Sequence, residues 1–354
     1  MLPEWVYRQC PEISAVHREA AIARQAQLTK PTGALGRLEQ LAIELAGLQA
    51  TELPRAARVP IIVFAGDHGI VAQGVSAYPQ EVTIAMMANF AAGGAAISVL
   101  AQELGSSLEV VDAGTLAPGE MGGIITDKPR GGTRDFSVEA ALQPAELAFA
   151  FEAGRRAVAR AATNQPDLLI FGEMGIGNTT ASAAIAAGLL GVSAGEIAGS
   201  GTGVDAAGRA HKARVIDAAI ALHGVAGETT DKILCAVGGL EIAAISGAII
   251  AAAQARIPVM IDGFIVSVAA LAAVRLNPSC QPFLLASHQS AEQGHRLVLR
   301  ALNVQPLISL DLRLGEGSGA AIALPLVRLA CALHNGMATF AQANVPDRPS
   351  GSAD

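Results

Sequence analysis

Aromatic residues are scarce in this chain: only 3% of its 354 residues are Phe, Trp or Tyr. A flat ligand would therefore be held between aliphatic and thioether side chains rather than stacked rings. Charge is also sparse, at 16% charged residues with a net charge of −7 and no long basic run, which argues against a nucleic-acid partner. The four cysteines (Cys10, Cys235, Cys280, Cys331) show no C-x-x-C spacing. That excludes a disulfide framework and a familiar zinc site, and they read as buried free thiols in a reducing, cytoplasmic compartment. Long apolar runs are missing where they would matter most. The most hydrophobic region, Ile242 to Val274, is interrupted by Arg256, Pro258 and Asp262, so its pieces fall short of the ~20 residues a membrane helix needs. The opening Met1-Leu2-Pro3-Glu4-Trp5 has no basic segment followed by an apolar core, so no signal peptide and no membrane association are expected.

What is abundant is Ala, Val, Ile and Leu within a 51% hydrophobic chain, a composition suited to buried parallel strands and closely packed helices. Short β-branched runs recur and end in Gly or a polar residue. They are Val59 to Ala65, Leu108 to Val111, Asp167 to Phe171, Ile233 to Val237, Pro258 to Ile261 and Phe283 to Ala286. Ala-rich, helix-period segments follow most of them. Alternation of strand and helix predicts an α/β fold, a Rossmann-like, mainly parallel sheet flanked by helices. In such a sheet the strand carboxyl ends face the ligand, which would gather Asp67, His68, Glu173, Glu241, Asp262 and His288 on one rim. Ordinary capped turns would account for some of these residues instead. Residues 1–55 and 318–345 look helical and are expected to form a smaller domain, leaving 56–317 as the α/β domain with the active site. A Pro-, Ser- and Gly-containing tail, 346–354, is expected to be disordered.

The segment Arg313 to Ala321 places one carboxylate, Glu316, among Gly315, Gly317 and Gly319, between an apolar run and a long helix-like run. Glycine lets a ligand approach the backbone, so Glu316 reads as a general base at a strand end. The alternative is a tight turn whose Glu caps the helix or faces solvent. Gly172 to Thr180 (Gly-Glu-Met-Gly-Ile-Gly-Asn-Thr-Thr) follows a strand and precedes an Ala-rich helix. It is neither a Walker A loop nor a full dinucleotide fingerprint. A Gly-rich helix start nonetheless favours a phosphate; the alternative is a Thr-capped helix without a ligand. Gly199-Ser200-Gly201-Thr202-Gly203, followed by Arg209 and Lys212, suits a monophosphate, or else is a loop before a surface helix. Asp67-His68 lacks the further ligands a metal needs and reads as a buried Asp–His pair supporting the loops. Ser287-His288 lacks a nucleophile elbow, which disfavours acyl transfer.

Several of these segments resemble one family. Leu28 to Glu39 (Leu-Thr-Lys-Pro-Thr-Gly-Ala-Leu-Gly-Arg-Leu-Glu), Gly66-Asp67-His68-Gly69, Gly172 to Thr180, Gly238-Gly239, Asp262-Gly263-Phe264, Ser287 to Glu292 and Arg313 to Ala321 are similar to the motifs of the nicotinate-nucleotide–dimethylbenzimidazole phosphoribosyltransferases. The likeness runs from about residue 20 to about residue 335. It implies a cobalamin-assembly enzyme that moves phosphoribose from nicotinate mononucleotide to 5,6-dimethylbenzimidazole. Such an enzyme is a homodimer and needs no metal and no cofactor. Carried over by position, Glu316 is the base and Glu173 a second active-site carboxylate. Gly175, Gly177, Asn178, Thr179, Gly201, Thr202, Gly203, Lys212, Ser290 and Gly315 hold the phosphoribosyl group. Tyr78 and Met86 fall near positions where some relatives carry Ser and Gln. With so few aromatics in the chain, Tyr78, Met86, Met174 and Leu314 are the expected walls of the base slot, since Met adapts well to ring faces.

Overall fold

The structure, a computed structural model, describes residues 1–201 and 203–346. Thr202 and the tail from residue 347 onward lie outside the described residues, and with them most of the expected disordered tail.

Six strands form one parallel sheet: β1 (Ile61–Gly66), β2 (Leu108–Gly114), β3 (Ile125–Thr126), β4 (Leu169–Met174), β5 (Val259–Ile261) and β6 (Leu284–Ala286). Their order is β3-β2-β1-β4-β5-β6, the doubly wound arrangement whose direction reverses between β1 and β4. There Ile61 pairs with Ile170 and Ala65 with Met174, so the two strands end side by side at the switch point. β1 is buried at all six positions, as the continuous run Ile-Ile-Val-Phe-Ala-Gly requires of a strand covered on both faces. The helix Leu240–Gln254 is buried from Leu240 to Ala253, which matches its all-round Ala and Ile composition. Five of the six expected strands are present.

The exception is Ile233 to Val237, which lies in the helix Thr230–Val237. Thr230, Ile233, Leu234, Ala236 and Val237 are its buried positions, and four of them follow a helical i, i+3, i+4, i+7 stripe that two β-branched residues disguise as a strand. β3 went unread because two residues carry no period. The segment before Glu316 is not a strand either. Ile308 makes one isolated bridge to His288, and Glu316 sits in a turn ahead of the helix Ser318–Gly336.

The chain divides into two compact units. One comprises Met1–Pro11 and Arg58–Ala323, the other Glu12–Ala57 and Leu324–Asp354. The first eleven residues thus belong with the sheet. Trp5 Nε1 donates to Glu152, and Asn277 Nδ2 donates to the Val6 and Arg8 carbonyls. In the other unit, the helices Ala15–Gln27 and Arg37–Gln49 flank the Leu28 to Gly36 loop. That loop is pinned by a buried Lys30–Glu39 ion pair of 2.8 Å and by Gly33 and Leu35 N–H groups donating to Glu39.

Two stretches have the length and mean hydropathy of a membrane span, Glu81–Glu103 and Ser318–Gly336. The first is two helices, Glu81–Ala91 and Ala96–Glu103, broken at Gly93-Gly94. The second contains Pro325. None of the cysteines is in a disulfide, and Cys235 is half-buried rather than buried like the other three.

Candidate active site

A cleft of about 450 Å³ opens at the carboxyl ends of β4 and β5. Glu173, the penultimate residue of β4, projects into it. Its carboxylate accepts a short hydrogen bond from Asn178 Nδ2. Burial, followed by the charges of Asp262, Glu241 and Glu316, holds the Glu173 carboxyl well above the usual range.

Glu316 lines the same cleft, on the turn packed beside β4. It is 5% exposed and adopts φ +65° between Gly315 (+87°) and Gly317 (+84°). This left-handed run bends the backbone tightly enough to press the Glu316 carbonyl against β4, where any Cβ on Gly172 would overlap it. A Cβ on Gly315 would likewise overlap the Glu173 carboxylate. These two glycines are therefore the condition for bringing two carboxylates together. Glu316 Oε2 accepts the Ile97 N–H at 3.3 Å, in the first turn of the helix Ala96–Glu103. Burial raises the Glu316 pKa, the Ile97 hydrogen bond opposes that, and the charge of Asp262 adds to it. A carboxylate pushed toward neutral pH is suited to taking a proton.

One wall of the cleft is apolar and contains Tyr78, Met86, Met174 and Leu314, the four expected residues, together with Val82, Phe264, Ile265 and Val266. The last four were not singled out from the sequence, because apolar residues in helices look like core. The other wall carries Gly175, Asn178, Thr179, Gly201, Ser290 and Gly315 as expected, plus His288, Glu292 and Arg313. The helix Asn178–Leu190 starts here with Gly177 as its N-cap at φ +95° and no side-chain cap. Gly177 itself faces inward toward Val71 and His68, outside the cleft lining. Gly203 lines an adjoining depression with Arg209, which shares Glu292 and Arg313 with the main cleft. Lys212 is only 1% exposed and lies behind the lining. Its Nζ donates to Thr179 Oγ1 at 2.8 Å, and burial pushes its pKa down to about 8. Thr202 is outside the described residues.

The rim is smaller than the sequence implied. Of the six polar residues at strand ends, Glu173 and His288 line the cleft. His68 and Glu241 are fully buried and pair with each other at 2.7 Å. The expected Asp67–His68 pair is thus corrected, since His68 takes a partner 173 residues away. Burial disfavours the imidazolium, yet the Glu241 charge and hydrogen bond leave the His68 pKa raised. Asp67 instead accepts the Leu116 N–H and a hydrogen bond from Thr83, whose Oγ1 takes the Ile176 N–H. Asp67 thus supports the Gly175-Ile176-Gly177 turn through Thr83. Ser287 is fully buried and bonds to the neighbouring His288 ring, so it offers no nucleophile to the cleft.

A cleft with this lining, at the carboxyl ends of the strands of a doubly wound parallel sheet, describes an α/β enzyme that acts on a nucleotide. The chain belongs to the phosphoribosyltransferase family whose model matches residues 10–345. A Bradyrhizobium diazoefficiens protein named nicotinate-nucleotide–dimethylbenzimidazole phosphoribosyltransferase is 89% identical over 350 residues, covering 99% of this chain and all of that one. A Pseudomonas putida protein of the same name is 55% identical over 350 residues, again across 99% of this chain and all of its own length. The solved structure of the phosphoribosyltransferase of that name from Thermus thermophilus superposes with a TM-score of 0.89 at 41% identity. It covers 95% of this chain and 100% of the other.

Proposed function

We propose that this chain transfers 5-phosphoribose from nicotinate mononucleotide to 5,6-dimethylbenzimidazole, releasing nicotinate and α-ribazole 5′-phosphate, with Glu316 as the general base. The observation that carries the residue assignment is the placement of Glu316: a buried carboxylate with a raised pKa, aimed into a cleft that has an apolar wall beside it. The leaving group is a pyridinium already activated by its positive charge, so it departs without a general acid. The attacking benzimidazole nitrogen uses its lone pair, and the other ring nitrogen must lose a proton, which one carboxylate can accept. The base lies against Tyr78, Met86, Met174 and Leu314. Glu173 holds ribose hydroxyls or faces the positive charge that develops at the anomeric carbon. The phosphate lies over the Gly175 to Thr179 helix start and the Gly201 to Gly203 loop, with Ser290 beside it and the Lys212 ammonium behind Thr179.

The working form is read as a homodimer, and the support is local. The stretch Glu81–Glu103 is apolar yet mostly unburied within the chain, as a face that meets another subunit would be. Cytoplasmic residence is supported by cysteines that are in no disulfide.

An assay of nicotinate released from the mononucleotide, with and without dimethylbenzimidazole, tests the reaction. Release only in the presence of the base is expected of the transferase. Release in its absence would mark a nucleotide hydrolase, and no release under either condition would mark a nucleotide-binding protein without turnover.

A further inference from the structure

We propose that Asp262 is a positioning residue for the reaction, holding the strained turn that aims Glu316 into the cleft. This inference rests on the reading of Glu316 as the base. Asp262 follows β5 and is 2% exposed. Its Oδ1 accepts the Ala320 N–H at 2.9 Å and its Oδ2 the Gly317 N–H at 3.3 Å. The carboxylate thus satisfies donor groups that the helix Ser318–Gly336 would otherwise leave without partners at its start. It does so from a different strand, so it ties that start to the sheet.

The turn needs such a tie. Glu316 occupies a left-handed conformation at φ +65° that a residue with a side chain keeps only when its surroundings hold it there. The Glu316 carbonyl packs directly against Gly172 of β4, and Asp262 accepts the N–H of the next residue, Gly317. Released at Gly317, the backbone of residues 315–317 could relax and carry the Glu316 carboxylate away from the Ile97 N–H and out of register with a bound base. The His288 ring rests where a side chain at Gly319 would be, with Nδ1 3.9 Å from Asp262 Oδ1 and 3.0 Å from Ser287 Oγ. That ring closes the remaining side of the Asp262 carboxylate.

The charge has a second effect that makes the proposal testable. The titratable groups around Glu316 are Glu173 from β4, Asp262 from β5, His288 from the segment after β6, and Arg313 in its own segment; Glu241 faces Glu173. The Asp262 charge raises the pKa of both Glu316 and Glu173. Removing that charge with the turn intact would lower the Glu316 pKa, whereas a relaxed turn also loses the larger, opposing Ile97 hydrogen bond, so relaxation moves the acid limb of the kcat profile to higher pH.

The experiment is a kinetic double-mutant cycle on the full chain, with Asp262→Asn, Glu316→Gln and the double variant, and thermal unfolding recorded for each. The amide of Asp262→Asn keeps the shape but turns a donor toward one of the two N–H groups. Its kcat should fall roughly 10- to 100-fold, with each KM within about threefold and the acid limb shifted upward as the Ile97 hydrogen bond is lost. In the Glu316→Gln background the same change should cost less than about twofold, because it acts through the base alone. Asp262→Glu keeps the charge but misplaces the turn, so kcat should fall with the acid limb again shifted upward; it also serves if the Asn variant does not fold. An Asp262→Asn variant with normal kcat, or one whose kcat loss is undiminished in the Glu316→Gln background, would overturn the proposal. A Glu316→Gln variant with normal kcat would instead refute the reading on which it rests.

Discussion

Raising the pH from 7 to 9 should weaken binding of the mononucleotide through Lys212 alone. That ammonium is buried behind Thr179 and Gly201, hydrogen-bonded to Thr179 Oγ1 at 2.8 Å, with burial pushing its pKa down to about 8 against a smaller upward pull from Glu292. A lysine attracts phosphate only while protonated, and a lowered pKa means the charge is lost as pH rises through 8. The 5′-phosphate, with a second pKa of about 6, stays doubly charged throughout this range. From a pKa of about 8, the protonated fraction is roughly 0.9 at pH 7 and roughly 0.1 at pH 9, so the Michaelis constant for the mononucleotide should rise about tenfold. A lysine left at its ordinary value would give a change of only a few per cent over the same span. Initial rates of nicotinate release at saturating dimethylbenzimidazole measure it. Lys212→Met should have a high Michaelis constant that no longer responds to pH, and the dephosphorylated nucleoside should be a poor donor. A flat profile in the unaltered protein, or an unchanged rise in Lys212→Met, would refute the assignment of this lysine to the phosphate.

Other perturbations give independent checks. Burying two methyl groups against Met86, at about 0.8 kcal/mol per methylene-sized group, should favour dimethylbenzimidazole over benzimidazole roughly tenfold, allowing for imperfect burial. Competition at equal concentration reads this, and a ratio near unity that Met86→Gln leaves alone would show that Met86 does not sense the methyl groups. The folded-state pKa of Glu173 lies well above its unfolded value, so its ionisation costs stability as pH rises from about 4.5 through that raised value. Glu173→Gln should therefore raise the melting temperature at pH 8 while lowering kcat; equal or lower melting temperature contradicts that. His68→Ala leaves the fully buried Glu241 carboxyl without its partner, which should cost about 3–5 kcal/mol in denaturant unfolding. A loss below about 1 kcal/mol would mean that the pair carries little of the fold.

The parallel sheet was legible because β1 and β4 open on continuous apolar runs (Ile61 to Ala65, Leu169 to Phe171) that stop at glycine, and β2 carries Val110-Val111 before Asp112. Where that signal is shared with a short amphipathic helix, as at Ile233 to Val237, it misleads, and only the i, i+3, i+4 burial stripe separates the two. At the site, Glu316 and Glu173 were readable because a carboxylate among glycines is chemically conspicuous. Their supports were not. The Ile97 N–H that meets Glu316 is a main-chain group with no residue identity to notice. Glu241 pairs with His68 across 173 residues, a distance over which no local spacing operates. Val82 and Ile265 line the cleft yet sit in helices whose apolar pattern points equally to the core. Lys212 was readable as a lone cation after a Gly-rich loop, but its burial and its hydrogen bond to Thr179 Oγ1 were not.

The most direct test of the central claim is the turnover number of Glu316→Gln with both substrates saturating. The amide keeps the shape of the side chain but cannot accept the benzimidazole proton. If Glu316 is the base, kcat should fall roughly 10²- to 10⁴-fold, the usual range for one general base, with both Michaelis constants little changed. A Gln variant that turns over at a near-normal rate would show that the proton leaves by another route and that Glu316 is only part of the turn.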